Sequence, residues 1–147
     1  MTSENYLNPK KSLLLHELDE KFDFLINLYN KKKFPKVFML SGKKGIGKST
    51  LISHFLNYVY NKENYNIKKK IIEKNSPFHI QYVDNSFSNV IYLSGDNYTK
   101  IKIDDIRDLR SQLLKTTIIN KERFIILDDV ELFNSNSLNA LLKVIEE

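Results

Sequence analysis

Apolar residues recur at three- and four-residue steps over residues 11–30, where Leu14, Leu15, Leu18, Phe22, Leu25 and Leu28 are interleaved with Glu17, Asp19, Glu20 and Asp23. That spacing predicts a helix with one buried stripe. Lys31, Lys32 and Lys33 follow where cations complement a helix C-terminus, and Phe34-Pro35 ends the segment, because proline disfavours helical geometry in the residue before it. Val37-Phe38-Met39-Leu40 is short, continuous and apolar, the pattern of a strand buried on both faces of a parallel sheet. From Ser49 to about Tyr60 a second helix is expected, with Leu51, Ile52, Phe55, Leu56 and Val59 on one face.

Residues 61–88 show no clear period and hold Lys68-Lys69-Lys70, several Asn and Pro77. They are expected to form an irregular surface insertion with a short helix around Ile67–Glu73. Val90-Ile91-Tyr92-Leu93 predicts a second strand and Ser94-Gly95-Asp96-Asn97 a turn. Asp104 or Asp105 can cap a helix running to about Lys115, with Ile106, Leu109, Leu113 and Leu114 inward. Phe124-Ile125-Ile126-Leu127 reads as a third buried strand. Asn134 or Ser135 then opens a last helix with Leu138, Leu141, Leu142 and Ile145 on one side. Strands alternating with helices predict an α/β sandwich with a largely parallel sheet.

Composition narrows the class. The 147 residues suffice for one domain with a real core, not two, and the one third contributed by Leu, Ile, Val and Phe excludes intrinsic disorder. No apolar run approaches the length of a membrane-spanning helix, and the first residues lack the apolar stretch of a secretory signal, so a cytoplasmic location and no membrane partner are expected. Cysteine is absent, which removes thiol chemistry and cysteine-ligated metal; His16, His54 and His79 have no metal-binding spacing, so no zinc is expected. Residues 1–74 balance at +8 and residues 75–147 at −3. A basic first half suits phosphate or nucleic acid. A biased, AT-rich coding sequence accounts equally for 20 Lys with 3 Arg beside 16 Asn and 16 Ile. Lys68, Lys69, Lys70, Lys102, Arg107 and Arg110 could touch DNA phosphate or simply solvate the surface.

The segment carrying chemistry is Gly42-Lys43-Lys44-Gly45-Ile46-Gly47-Lys48-Ser49, which fits the phosphate-binding loop G-x-x-x-x-G-K-[ST]. Glycines let successive N–H groups turn inward as an anion nest, and the following helix adds its N-terminal donors. Lys48 would reach the β- and γ-phosphates of ATP, Ser49 would take one Mg²⁺ position, and Thr50 continues the loop into the helix. Three of the chain's 4 glycines fall inside this motif, between a predicted strand and a predicted helix, which argues against an ordinary turn. Lys43 and Lys44 are either extra phosphate contacts or solvated charges. About 80 residues later, Phe124–Leu127 runs into Asp128-Asp129, the Walker B pattern in which a strand tip carries a carboxylate towards Mg²⁺. Asp128 would hold the metal directly or through water. Asp129 takes the place of the glutamate that polarises attacking water, and being one methylene shorter it suits nucleotide binding better than fast hydrolysis. A nucleotide kinase on the same loop would need an arginine-rich lid, which Arg107, Arg110 and Arg123 do not form.

Phe34–Gly42 running into Gly45–Leu51, Arg123–Glu131, and above all Asn134–Glu147 with Asn139-Ala140-Leu141-Leu142-Lys143-Val144-Ile145-Glu146-Glu147 resemble bacterial clamp-loader AAA+ subunits, and Ile101–Arg107 resembles the segment before their Walker B strand. The resemblance covers about residues 12–147. Within that family the pattern is nearer to the delta-prime type of DNA polymerase III subunit than to tau/gamma. Asp128-Asp129 stands where tau/gamma has Asp-Glu, and Leu13–Phe24 lacks the tau/gamma arginine-rich opening. The resemblance implies a P-loop NTPase three-layer αβα sandwich over residues 1–147, ATP and Mg²⁺ as cofactors, and little or no hydrolysis. It also implies work within a hetero-oligomer of clamp-loader subunits that places a sliding clamp on primed DNA. An active tau/gamma-type motor is the alternative. The chain is expected to stop before the family's sensor strand, which would leave the strands at 37–40 and 124–127 with unpaired edges and the isolated fragment poorly folded. The cysteine zinc module of many relatives has no counterpart in residues 61–88.

Overall fold

In the computed structural model, which describes residues 8–95, 103–115 and 119–146, the chain divides into two compact units, residues 1–86 and 87–147. Helix α1 (Asp19–Asn30) and helix α2 (Lys48–Tyr60) pack against each other in the first unit. Phe22, Leu25 and Ile26 of α1 and Leu51, Phe55, Leu56, Tyr58 and Val59 of α2 are buried. Phe22 meets Tyr58 edge-on at 6.4 Å, Tyr29 meets Phe55 edge-on at 5.8 Å, and the Asn30 amide donates to the Tyr58 hydroxyl at 3.0 Å. The predicted faces of both helices are therefore the packed ones, but α2 also buries Ser53, His54 and Asn57, so it is enclosed almost all round.

Helix α1 is shorter than its periodicity predicts. Leu13–Leu15 instead pairs with a hairpin made of β1 (Tyr65–Asn66) and β2 (Ile71–Ile72), Tyr65 opposite Ile72. Leu14 bridges Ile71 in antiparallel fashion, the Ile72 N–H donates to Leu13 O at 2.9 Å, and the Leu15 N–H donates to Lys70 O at 3.2 Å. A leucine run serves helix or strand equally, and the available hairpin edge decides here. The helix expected around Ile67–Glu73 is this turn and β2 instead. Helix α3 (Pro77–Val83) follows, with Ser76 as its cap and Pro77 in the first turn. Residues 61–88 thus supply Tyr65, Ile72, Phe78 and Tyr82 to buried positions.

Polar anchors tie this unit together. The buried Lys70 ammonium lies 3.3 Å from Asp19 and 3.4 Å from Asp23 and over the Phe22 ring, so it joins the hairpin turn to α1 and is no free phosphate contact. His54 on α2 donates from Nε2 to Ser12 O at 3.2 Å, and its Nδ1 lies 3.0 Å from the Tyr65 hydroxyl, which donates to it when the ring is neutral. Burial, outweighing the hydrogen bond to Ser12 and aided by nearby His79, lowers the His54 pKa to about 4. Burial, with Asp19 and Asp23 nearby, also raises the Tyr65 hydroxyl well above its usual range.

Val37–Leu40 is not a strand. No strand pairs with it among the described residues, and Val37 and Met39 are 73% and 79% exposed. An extended apolar run without a ladder partner gains nothing from pleating. Phe34 anchors the segment by stacking on Phe55 at 5.1 Å.

The second unit is built on two parallel strands, β3 (Val90–Ser94) and β4 (Phe124–Asp128), with Val90 opposite Phe124 and Ser94 opposite Asp128. Helix α4 (Ile103–Leu114) lies in the crossover between them and helix α5 (Ser135–Glu146) follows β4. Ile91, Leu109, Phe133 and Leu141 form the core, with Leu93, Leu113, Leu127 and Leu138 against it. Strand β4 is half-buried along its length instead of fully enclosed, since this core lies on the Ile91 and Leu127 face. Leu114 and Leu142, expected inward, are 78% and 53% exposed, at the margins of their helices' apolar stripes. Asp96, Asn97 and the side chains of Asp104, Asp105, Ile106, Arg107 and Ile145 lie outside the described residues.

Three side chains fasten the segments of this unit. Asn134 caps α5, accepting from the Ser137 N–H and the Ser137 hydroxyl, both at 2.8 Å. Buried Asn89 reaches the carbonyls of Ile119 and Lys121 at 3.2 Å and of Glu122 at 3.4 Å, fixing the approach to β4. Arg123 donates to the carbonyls of Gln112, Leu113 and Lys115 at 3.1, 2.5 and 2.7 Å, closing the C-terminus of α4. Gly95 sits against the turn after β4: a Cβ there would meet Asp129 O at 2.3 Å and Leu132 Cβ at 2.8 Å.

Two predictions follow from this packing. Because the folded His54 titrates below the unfolded 6.5, its contribution is present above pH 6.5 and is lost as pH falls towards 4. Urea unfolding at pH 7 and pH 5 is expected to differ by about 2 kcal/mol from this group. His54→Gln should flatten that slope, leaving the smaller contribution of His79, whose pKa burial also lowers; an unchanged slope refutes the assignment. Gly95→Ala should force the Asp129 turn aside and cost about 1–3 kcal/mol, read as a lower thermal midpoint with Asn134 capping intact.

Candidate functional site

The loop between Ser41 and α2 takes the backbone that its glycines permit. Gly42, Gly45 and Gly47 have φ of +150°, +83° and +93°. Gly47 is the N-cap of α2, left-handed and without any side-chain cap, and a Cβ on it would lie 2.9 Å from Leu18 Cδ1. Both the dihedral and the contact with the start of α1 demand glycine there. With no capping side chain, the first-turn N–H groups of α2 face the loop, the arrangement that favours an anion.

Lys48 opens α2, and its ammonium donates to Gly42 O at 2.6 Å and Lys43 O at 3.0 Å. The Ile46 N–H donates to Lys43 O at 3.3 Å, so one carbonyl receives both the turn and the ammonium. Lys48 therefore clasps the loop across its mouth and holds a positive charge over it. Lys43, Lys44, Gly45 and Ile46 are exposed, while Gly47, Lys48, Ser49 and Thr50 are half-buried at the helix start. Loop, lysine and helix end are thus brought together as the motif requires, and their donor set fits phosphate oxygens.

In the second unit Asp128 ends β4. Its Oδ2 accepts from the Tyr92 hydroxyl on β3, and its Oδ1 accepts from the Asp129 N–H at 3.1 Å. Asp129 is left-handed, with φ +48° and ψ +47°, which is uncommon for a residue with a side chain. It begins the tight turn Val130–Leu132 that Gly95 abuts. Tyr92 and Gly95 were missed from the sequence. Tyr92 reads there as one more large residue in a strand, and its role becomes visible only once the parallel register puts it beside Asp128.

Among the described residues no group of three His, Asp or Glu side chains could hold a metal ion by itself. Mg²⁺ is an ion that takes one or two carboxylates and relies on phosphates and water for the rest. Asp128 offers one such carboxylate at the tip of β4, with the Tyr92 hydroxyl on Oδ2 and the Asp129 N–H on Oδ1. No described helix is long and apolar enough to cross a membrane.

Comparison with known proteins supports a clamp-loader family. A relative from Mycoplasma genitalium described as DNA polymerase III subunit gamma/tau is 28% identical over 131 residues, covering 84% of this chain and 20% of the relative. The chain therefore spans about one fifth of that relative's length. No solved structure gives a significant match. The mixed α/β architecture with a small parallel sheet is compatible with a clamp-loader domain. Residues 18–147 match the family described as DNA polymerase III, delta subunit, and the chain belongs to that family.

Proposed function

We propose that this chain is the nucleotide-binding part of a clamp-loader subunit of the delta-prime type. In this reading it binds ATP and helps place a sliding clamp on primed DNA, with weak or no hydrolysis of its own. The observation that carries the proposal is the loop at 42–48: three glycines at positive φ, an uncapped helix start, and the Lys48 ammonium across the mouth. The fold that goes with it is the P-loop AAA+ αβα sandwich, and its partners are the other clamp-loader subunits in the cytoplasm.

The chain's own groups divide the work. Loop N–H groups from Gly42 to Ser49 orient the phosphates, with Thr50 in the same first turn. Lys48 exchanges its carbonyl partners for phosphate oxygens, and Lys43 and Lys44 raise the local positive potential. Ser49 and Asp128 are each proposed as Mg²⁺ ligands, and the ion when bound would offset phosphate charge. Asp129 stands at the base position, but its side chain is a methylene short of glutamate, and water positioning tolerates little displacement.

A second reading, an active motor subunit of tau/gamma type, is favoured by the gamma/tau name of the Mycoplasma genitalium relative. Steady-state ATP turnover abolished by Asp129→Asn would establish it; turnover absent from wild type supports the delta-prime reading.

Binding of a fluorescent ATP analogue with Mg²⁺ tests the proposal directly. Saturable binding is expected, with Lys48→Ala weakening it about 10- to 100-fold, the worth of one charge-assisted contact. Absence of saturable binding by folded wild type would overturn nucleotide binding.

A further inference from the structure

We propose that Tyr92 is a positioning residue for Asp128, fixing the carboxylate for its metal contact; this rests on the nucleotide reading above. Parallel pairing sets Tyr92 opposite Ile126 and Ser94 opposite Asp128. Side chains alternate faces along a strand, so Tyr92 and Asp128 are diagonal neighbours on one face, opposite to Ile91, Leu93 and Leu127 of the core. The hydrophobic cluster of this unit lies on the other side. The hydroxyl donates to Oδ2, a charge-assisted bond of the stronger kind.

The second oxygen is held independently. The Asp129 N–H donates to Oδ1 at 3.1 Å, and Asp129 itself is left-handed, which costs of order 1 kcal/mol for a non-glycine residue. Gly95 lets the turn approach β3 closely enough to keep it. Two donors from two different segments thus grip the two oxygens and remove rotation about the last side-chain bond. A carboxylate that only ended a strand would need neither. A metal contact is sensitive to this: partners that orient a ligand are worth about 10- to 100-fold in metal affinity.

Tyr92→Phe removes the hydroxyl and keeps the ring. The readout is the Mg²⁺ concentration at which binding of the fluorescent ATP analogue reaches half its metal-dependent gain, alongside binding without Mg²⁺ and the thermal midpoint. Tyr92→Phe is expected to raise the Mg²⁺ midpoint about 10-fold while binding without Mg²⁺ stays at the wild-type value. On an Asp128→Asn background the same change should add nothing, because its effect runs through that carboxylate. A lower thermal midpoint with an unchanged Mg²⁺ midpoint makes Tyr92 structural and overturns the inference. An Asp128→Asn variant with wild-type Mg²⁺ dependence overturns the metal role of Asp128 itself, and loss of all analogue binding by wild type overturns the nucleotide reading beneath both. Tyr92→Met serves the same comparison should the phenylalanine variant not fold.

Discussion

A strand exists only where another backbone is within hydrogen-bonding reach, and that constraint decides how the apolar segments of this chain are used. Val90–Ser94 and Phe124–Asp128 find each other in parallel register and pleat. Ile71–Ile72 finds Tyr65–Asn66 on one side and Leu13–Leu15 on the other, so the start of an apparent helix becomes a strand edge. Val37–Leu40 finds no partner among the described residues and stays irregular, although its hydropathy is that of a buried strand. Burying apolar surface is not enough to form a strand when each unpaired N–H and C=O keeps its cost.

The polar side chains that settle the geometry act by joining segments far apart in sequence. His54 connects α2 to Ser12 and Tyr65; Lys70 connects the hairpin turn to Asp19 and Asp23; Asn89 and Arg123 fasten the two ends of the path into β4. None contributes much apolar area. Each has several donors or acceptors and is buried enough that leaving them unpaired would be costly. That makes them specifiers of register more than sources of bulk stability.

This difference explains what could be read from the sequence. The helices at Ser49–Tyr60 and Ser135–Glu146, the strands at 90 and 124, and the glycine turn at 42–47 were legible because their signals are local: a period, a run, a glycine spacing. The start of α1, the hairpin and the fate of Val37–Leu40 were not, because each depends on whether a second segment is present to pair. The exposure of Leu114 and Leu142 belongs to the same class, since a stripe's width is set by what covers it.

The candidate site divides along the same line. Gly42, Gly45, Gly47 and Lys48 work through their own backbone and one side chain, so spacing alone exposes them. Asp128 was legible as a strand tip, but what orients its carboxylate is the Tyr92 hydroxyl and the Asp129 amide, and the first of these depends on the strand register. Aspartate at a strand end is common; aspartate with both oxygens gripped from two segments is costly to arrange. On the proposed reading, that fixed direction would suit an ion with octahedral demands.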